Sequence, residues 1–131
     1  MPSVIALDHL VLTVRDIAKT VGFYTQVLGM TAETFHAADG TTRSALKFGA
    51  QKINLHQSGA EFEPKAGQVQ PGSADLCLLT EDDLDAWSRH LSDSGVAVIL
   101  GPVARTGARG GIMSLYIRDP DANLIEISRY A

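Results

Sequence analysis

Four residues of this chain, His9, His56, Asp75 and Glu126, are of the types that bind a divalent metal, and an internal repeat brings them into correspondence. The first half carries Asp8-His9-Leu10-Val11-Leu12-Thr13-Val14, then Arg15-Asp16, then an apolar-periodic stretch closing at Leu28-Gly29-Met30. The second carries Ala74-Asp75-Leu76-Cys77-Leu78-Leu79-Thr80, then Glu81-Asp82, then a stretch closing at Ser94-Gly95-Val96. Asp16 to Gly29 and Asp82 to Gly95 are both thirteen positions, so the halves align at an offset of 66 and His9 falls opposite Asp75. Aligning Lys52-Ile53-Asn54-Leu55-His56 with Ala122-Asn123-Leu124-Ile125-Glu126 sets His56 opposite Glu126. Two imidazoles and two carboxylates converging on one cavity suit a first-row ion such as Zn, Ni, Mn or Fe, its charge offset by the carboxylates.

The elements that must position these residues follow from hydrophobic periodicity. Ile5 to Val14 reads as a strand with His9, Val11 and Thr13 on one face and Leu10, Leu12 and Val14 on the other. Asp16 is a candidate N-cap, and Val21, Tyr24, Val27 and Leu28 recur at helical spacing up to a stop at Gly29. Strands are expected over Thr31–His36, Arg43–Phe48 and Gln51–Gln57, with Asn54 and His56 sharing a face. Residues 58–73, with Pro64 and Pro71, read as a linker. The second unit repeats the plan: a strand at Ala74–Thr80, a helix at Asp82–Asp93, and strands near Ala97–Leu100, Ile112–Arg118 and Leu124–Ser128. On the last of these, Leu124, Glu126 and Ser128 share a face. One helix per unit among several strands gives an α+β fold of two pseudo-symmetric βαβββ units, unit one about 4–58 and unit two about 74–129, within a single domain of 131 residues.

Composition excludes several classes. A net charge of −4 argues against a nucleic-acid or anionic-membrane surface. Apolar runs are too short to span a bilayer, the N-terminus lacks a signal-peptide pattern, and a lone Cys77 fits a reducing compartment, so a cytoplasmic location is expected. His36 and His90 have no partner signal and read as surface residues; Cys77 reads as a small buried hydrophobe. The Gly/Arg-rich segment 101–111 reads as a loop able to fold over a bound anion with Arg105 and Arg109, and it precedes a strand whose Ser114 and Tyr116 should face with Glu126. Asp119-Pro120-Asp121 reads as turn chemistry that positions the Glu126 strand.

Three stretches carry a resemblance: Asp8-His9-Leu10, Phe23-Tyr24-Thr25-Gln26-Val27-Leu28-Gly29-Met30, and Arg118-Asp119-Pro120-Asp121-Ala122-Asn123-Leu124-Ile125-Glu126. There the chain resembles the vicinal oxygen chelate superfamily of glyoxalase I, fosfomycin-resistance and bleomycin-resistance proteins and extradiol dioxygenases. Segments 52–56 and 105–114 look closest to its glyoxalase domain-containing protein 5 and virulence-associated group. The resemblance implies paired βαβββ units forming a cupped, incomplete barrel around a divalent metal that chelates neighbouring substrate oxygens and stabilises an enediolate or oxyanion. Carried over by position, the metal ligands are His9, His56, Asp75 and Glu126, with the carboxylate and histidine of glyoxalase I permuted between His56 and Asp75. Glu126 takes the role of a ligand that also serves as general base, and Arg105, Arg109, Ser114 and Tyr116 are candidates for orienting substrate. A glyoxalase-type lyase or isomerase acting on a small molecule, with a thiol adduct among the options, and a homodimer are expected. The alternatives are a non-catalytic module sequestering a drug or metabolite, a metal-site protein without turnover, and a thiol transferase or dioxygenase of the same superfamily.

Overall fold

Alternation of apolar and polar residues in the strands and one amphipathic helix per half build the same unit twice. In a computed structural model describing residues 1–131, the chain forms two compact units, Met1–Pro71 and Gly72–Ala131. Unit one contains β1 (His9–Val14), α1 (Ile17–Gln26), β2 (Thr31–His36), β3 (Thr42–Phe48) and β4 (Gln51–Gln57). Unit two contains β5 (Asp75–Leu79), α2 (Leu84–Asp93), β6 (Leu100–Gly107), β7 (Gly110–Arg118) and β8 (Leu124–Tyr130). Each unit has one four-stranded open sheet, ordered β1-β4-β3-β2 or β5-β8-β7-β6. The first strand pairs in parallel with the last and the others are antiparallel. The fold is α+β, as expected, and neither sheet closes into a barrel.

The apolar parity is borne out. In unit one Leu12, Val14, Leu46, Ile53 and Leu55 are buried, as is Tyr24 of the helix. In unit two Leu91, Leu115, Ile117, Ile125 and Ile127 are buried. Asp16 caps α1 by accepting from the Lys19 backbone N–H at 3.1 Å, and Gly29 at φ +73° ends the helix in the left-handed region.

Three boundaries differ from expectation. The first strand starts at His9 and not Ile5, because its partner β4 begins at Gln51 and the ladder opens with His9 opposite Lys52. Residues 59–71 belong with unit one. The segment 101–111 is not a loop: it forms most of β6 and the turn of a β6–β7 hairpin, paired from Val103 opposite Ser114 to Gly107 opposite Gly110. Its glycines serve the sheet. Gly101, at φ +114°, lies where a Cβ would come within 2.4 Å of the Ser114 carbonyl oxygen.

Candidate functional site

The β-ladders set which residues of the repeat are equivalent. In unit one His9 lies opposite Lys52 and Val11 opposite Asn54; in unit two Asp75 lies opposite Leu124 and Cys77 opposite Glu126. The partner of Glu126 in the repeat is therefore Asn54, and His56 corresponds to Ser128. The gapless alignment of the final strands missed by two residues. Asp75 and Glu126 are 51 positions apart and His9 and Asn54 are 45, a difference the connecting segments absorb.

Glu126 sits on the polar face of the second sheet, where alternation places Asp75, Cys77, Ser114, Tyr116 and Ser128 beside it. Ser114 Oγ donates to Glu126 Oε2 at 2.6 Å, Ser128 Oγ lies 3.3 Å from the same oxygen, and the two hydroxyls are 2.7 Å apart. The Cys77 thiol donates to Ser128 Oγ at 3.3 Å. Cys77 is exposed rather than buried, because its face of β5 is the polar one. Partial burial raises its thiol pKa, and the Glu126 and Asp75 carboxylates add to that against the opposing hydrogen bond from Ser128. A cavity of about 400 Å³ opens over this face, lined by Cys77, Arg105, Thr106, Ile112, Glu126 and Tyr130 among others.

Arg105 projects from β6 into that cavity. Its Nε donates to the Tyr116 hydroxyl at 3.0 Å and its guanidinium lies 5.5 Å from the centre of the Tyr116 ring. Arg109 is elsewhere, at the hairpin tip. Its backbone N–H donates to the Tyr130 hydroxyl at 3.0 Å, its guanidinium covers the Tyr130 ring at 4.4 Å, and it lines a separate recess of about 580 Å³. Ser114 is fully buried, so it reaches a ligand only by way of Glu126. Ser128, which the sequence reading placed on Glu126's face without a role, is its second hydroxyl partner. Behind the site, Asn123 ties the start of β8 to the start of β5: its Oδ1 accepts from the Ala74 N–H and its Nδ2 donates to Asp119.

In unit one, His9 is exposed and its Nδ1 donates to the Asp8 carboxylate at 2.8 Å. With Nδ1 donating to a carboxylate, Nε2 is left facing outward, the arrangement common among metal-ligating histidines. His56 differs on every count. It is 6% exposed, packs edge-on to Phe62 with ring centres 5.4 Å apart, and its Nδ1 has no hydrogen-bond partner. Burial lowers its pKa, with the Arg43 guanidinium adding to the effect and Glu61 opposing it. His56 lies opposite Thr13, four ladder positions from His9, or about 13 Å along the strands. Within this unit the two imidazoles cannot share one ion. Unit one thus offers one exposed His bonded to a carboxylate, and unit two offers Asp75 and Glu126, two ladder positions apart on one face. Neither unit by itself gathers three His, Cys, Asp or Glu side chains into a metal-sized group.

The other two histidines are exposed, as expected, but each has a neighbour that the sequence did not signal. His90 meets Trp87 edge-on and His36 Nδ1 lies 3.4 Å from the Thr42 hydroxyl. No helix is long and apolar enough to cross a membrane.

Comparison with known proteins agrees with this architecture. The chain is 56% identical over 124 residues to virulence protein STM3117 of Salmonella typhimurium, covering 95% of this chain and 83% of that one. It is 56% identical over 128 residues to the glyoxalase domain-containing protein RDO1 of Mycosarcoma maydis, covering 98% of this chain and 70% of the relative. An integron cassette protein from the mobile metagenome of V. cholerae superposes with a TM-score of 0.94 at 56% identity, over 100% of this chain and 99% of that one. The model of one family matches residues 6–127, nearly the full length of both units. With the doubled unit and that match together, the chain belongs to the Glyoxalase/Bleomycin resistance protein/Dioxygenase superfamily.

Proposed function

We propose that this protein is a divalent-metal-dependent lyase or isomerase of glyoxalase type, which removes a proton from carbon beside a carbonyl with Glu126 as general base. The observation that carries the reading is the setting of Glu126: a half-buried carboxylate at a cavity wall, held through Oε2 by Ser114 and facing a guanidinium–phenol pair. Fixing one carboxylate oxygen leaves Oε1 to approach a substrate C–H in a defined direction, which is the geometric requirement on a general base. The Ser114–Ser128 pair restrains the carboxylate, and Arg105 offers its remaining N–H groups to an anionic or carbonyl oxygen of the substrate. A divalent ion, for which unit two offers Asp75 and Glu126 and unit one separately offers His9, would supply electrophilic polarisation of adjacent substrate oxygens. The reading includes a small-molecule substrate with or without a thiol, a homodimeric assembly and a cytoplasmic location.

The test is turnover of a 1,2-dicarbonyl, methylglyoxal with and without added thiol, followed in D₂O. Wild type is expected to wash deuterium into the carbon beside the carbonyl, and Glu126→Gln to lower kcat by at least about 100-fold while keeping the fold. Equal turnover by the two proteins would remove Glu126 from the chemistry. A second reading, a ligand-sequestering module without turnover, is favoured by Asn54, which puts a neutral amide where the repeat places Glu126's counterpart. Ligand binding without deuterium exchange in wild type would select it.

A further inference from the structure

Unit one uses the positions equivalent to Glu126 and Ser128 differently, and two polar atoms there are left without partners. Asn54 Oδ1 and His56 Nδ1 are both buried and neither makes a hydrogen bond. The two residues alternate on one strand and so share the polar face of the first sheet. Around them the walls are aromatic. Phe62 meets the His56 ring edge-on and carries the Arg43 guanidinium 4.0 Å from its ring centre. Lys52 Nζ covers the Phe35 ring at 4.1 Å. Opposite Asn54 on β3 stands Ala45, where unit two has Tyr116 opposite Glu126, so the face drops from a phenol to a methyl group at this point.

We propose that Asn54 and His56 form an uncharged hydrogen-bonding subsite for a hydroxyl group carried on an aromatic ring, and that His56 recognises this ligand and is not a metal donor. The two atoms set the ligand's chemistry. Asn54 Oδ1 can only accept, and the neutral imidazole Nδ1 accepts or donates according to tautomer. One hydroxyl can donate to Oδ1 while accepting from Nδ1, which satisfies both atoms together. The local charge argues against a cation: Arg43 lies close enough to oppose protonation of His56, and it would oppose a metal ion in the same way. An anion meets the opposite field, since Glu61 acts on His56 in the other sense and Arg43 already has Asp39 as a partner at 2.8 Å. A neutral hydroxyl beside the Phe62 ring is the group that satisfies both atoms.

The subsite does not depend on Glu126 acting as a base, and its test is separate. Protein labelled with ¹⁵N at histidine is titrated with phenol, with toluene, which has the same ring without the hydroxyl, and with Mn²⁺. Phenol is expected to shift the His56 Nδ1 resonance and to bind at least about tenfold more tightly than toluene, as one satisfied hydroxyl site requires. Asn54→Leu should remove that preference while leaving toluene binding as it was. Equal affinity for phenol and toluene, or an Nδ1 resonance unmoved by phenol, would overturn the proposal without any variant. So would selective broadening of His56 by Mn²⁺ at sub-stoichiometric concentration, which would return it to the metal donors. Loss of turnover in Glu126→Gln bears on the reaction alone, and the Nδ1 shift bears on this subsite alone.

Discussion

Asn123 fixes where Asp75 and Glu126 stand, and its replacement by alanine gives a calculable loss of stability. The side chain is 1% exposed and makes two hydrogen bonds. Nδ2 donates to Asp119 Oδ2 at 2.8 Å, and Oδ1 accepts from the Ala74 N–H at 2.9 Å. Asp119 is 6% exposed and its other oxygen is already engaged by the backbone N–H groups of Asp121 and Asn123. A bond to a charged acceptor contributes about 1.5–3 kcal/mol and a neutral one about 1 kcal/mol. Asn123→Ala should therefore cost about 3 kcal/mol, a large part of the roughly 5–15 kcal/mol available to a domain. Urea unfolding followed by circular dichroism reads it directly: a lower midpoint at unchanged m-value, with Tm down by about 10 °C. Ala74 precedes Asp75 and Asn123 lies three residues before Glu126, so the variant should also lose activity at temperatures where it remains folded. A loss below about 1 kcal/mol at constant m would refute the reasoning, since the two buried partners would then have found substitutes.

Two further perturbations follow from named contacts. Gly101→Ala puts a Cβ within 2.4 Å of the Ser114 carbonyl oxygen at φ +114°; a destabilisation of about 2 kcal/mol or more is expected in thermal unfolding, with activity reduced because Ser114 holds Glu126. His56 is held below its ordinary value of 6.5 by burial and Arg43, so the unfolded chain binds the proton that the folded chain refuses. Its contribution is present above about pH 6.5 and is lost as pH falls toward the folded value. Urea stability should drop from pH 7 to pH 5, and His56→Gln should flatten that slope.

The sequence made the faces of the strands of unit one, and of β5, β7 and β8, legible and left the pairing of strands open. Leu12, Val14, Ile53 and Leu55 alternate with His9, Thr13, Asn54 and His56, and that alternation alone separates core from polar face. Asp16 and Gly29 bound the first helix because capping chemistry is local. By contrast, the equivalence of Asn54 with Glu126 is a matter of ladder register, which depends on non-local hydrogen bonds. A shift of two residues preserves every face, so alternation could not detect it. The β6 strand was hidden for a different reason: Gly101, Pro102, Gly107, Gly110 and Gly111 carry the composition of a loop, and tertiary pairing with β7 overrides it. Glu126, Ser114, Tyr116 and Arg105 do meet in unit two, whereas Arg109 covers Tyr130, because the hairpin turn at 108–109 carries it past the cavity.

Elemental analysis of untagged protein purified without chelator tests the metal-dependent account most directly, with His9→Ala plus Glu126→Ala and, separately, His56→Ala prepared alongside. The account predicts about one equivalent of a divalent first-row metal per chain in wild type, retained in His56→Ala and lost in the double variant. Absence of metal from every preparation, even after reloading with Zn, Ni, Mn or Fe, would contradict it and leave a ligand-sequestering protein in its place.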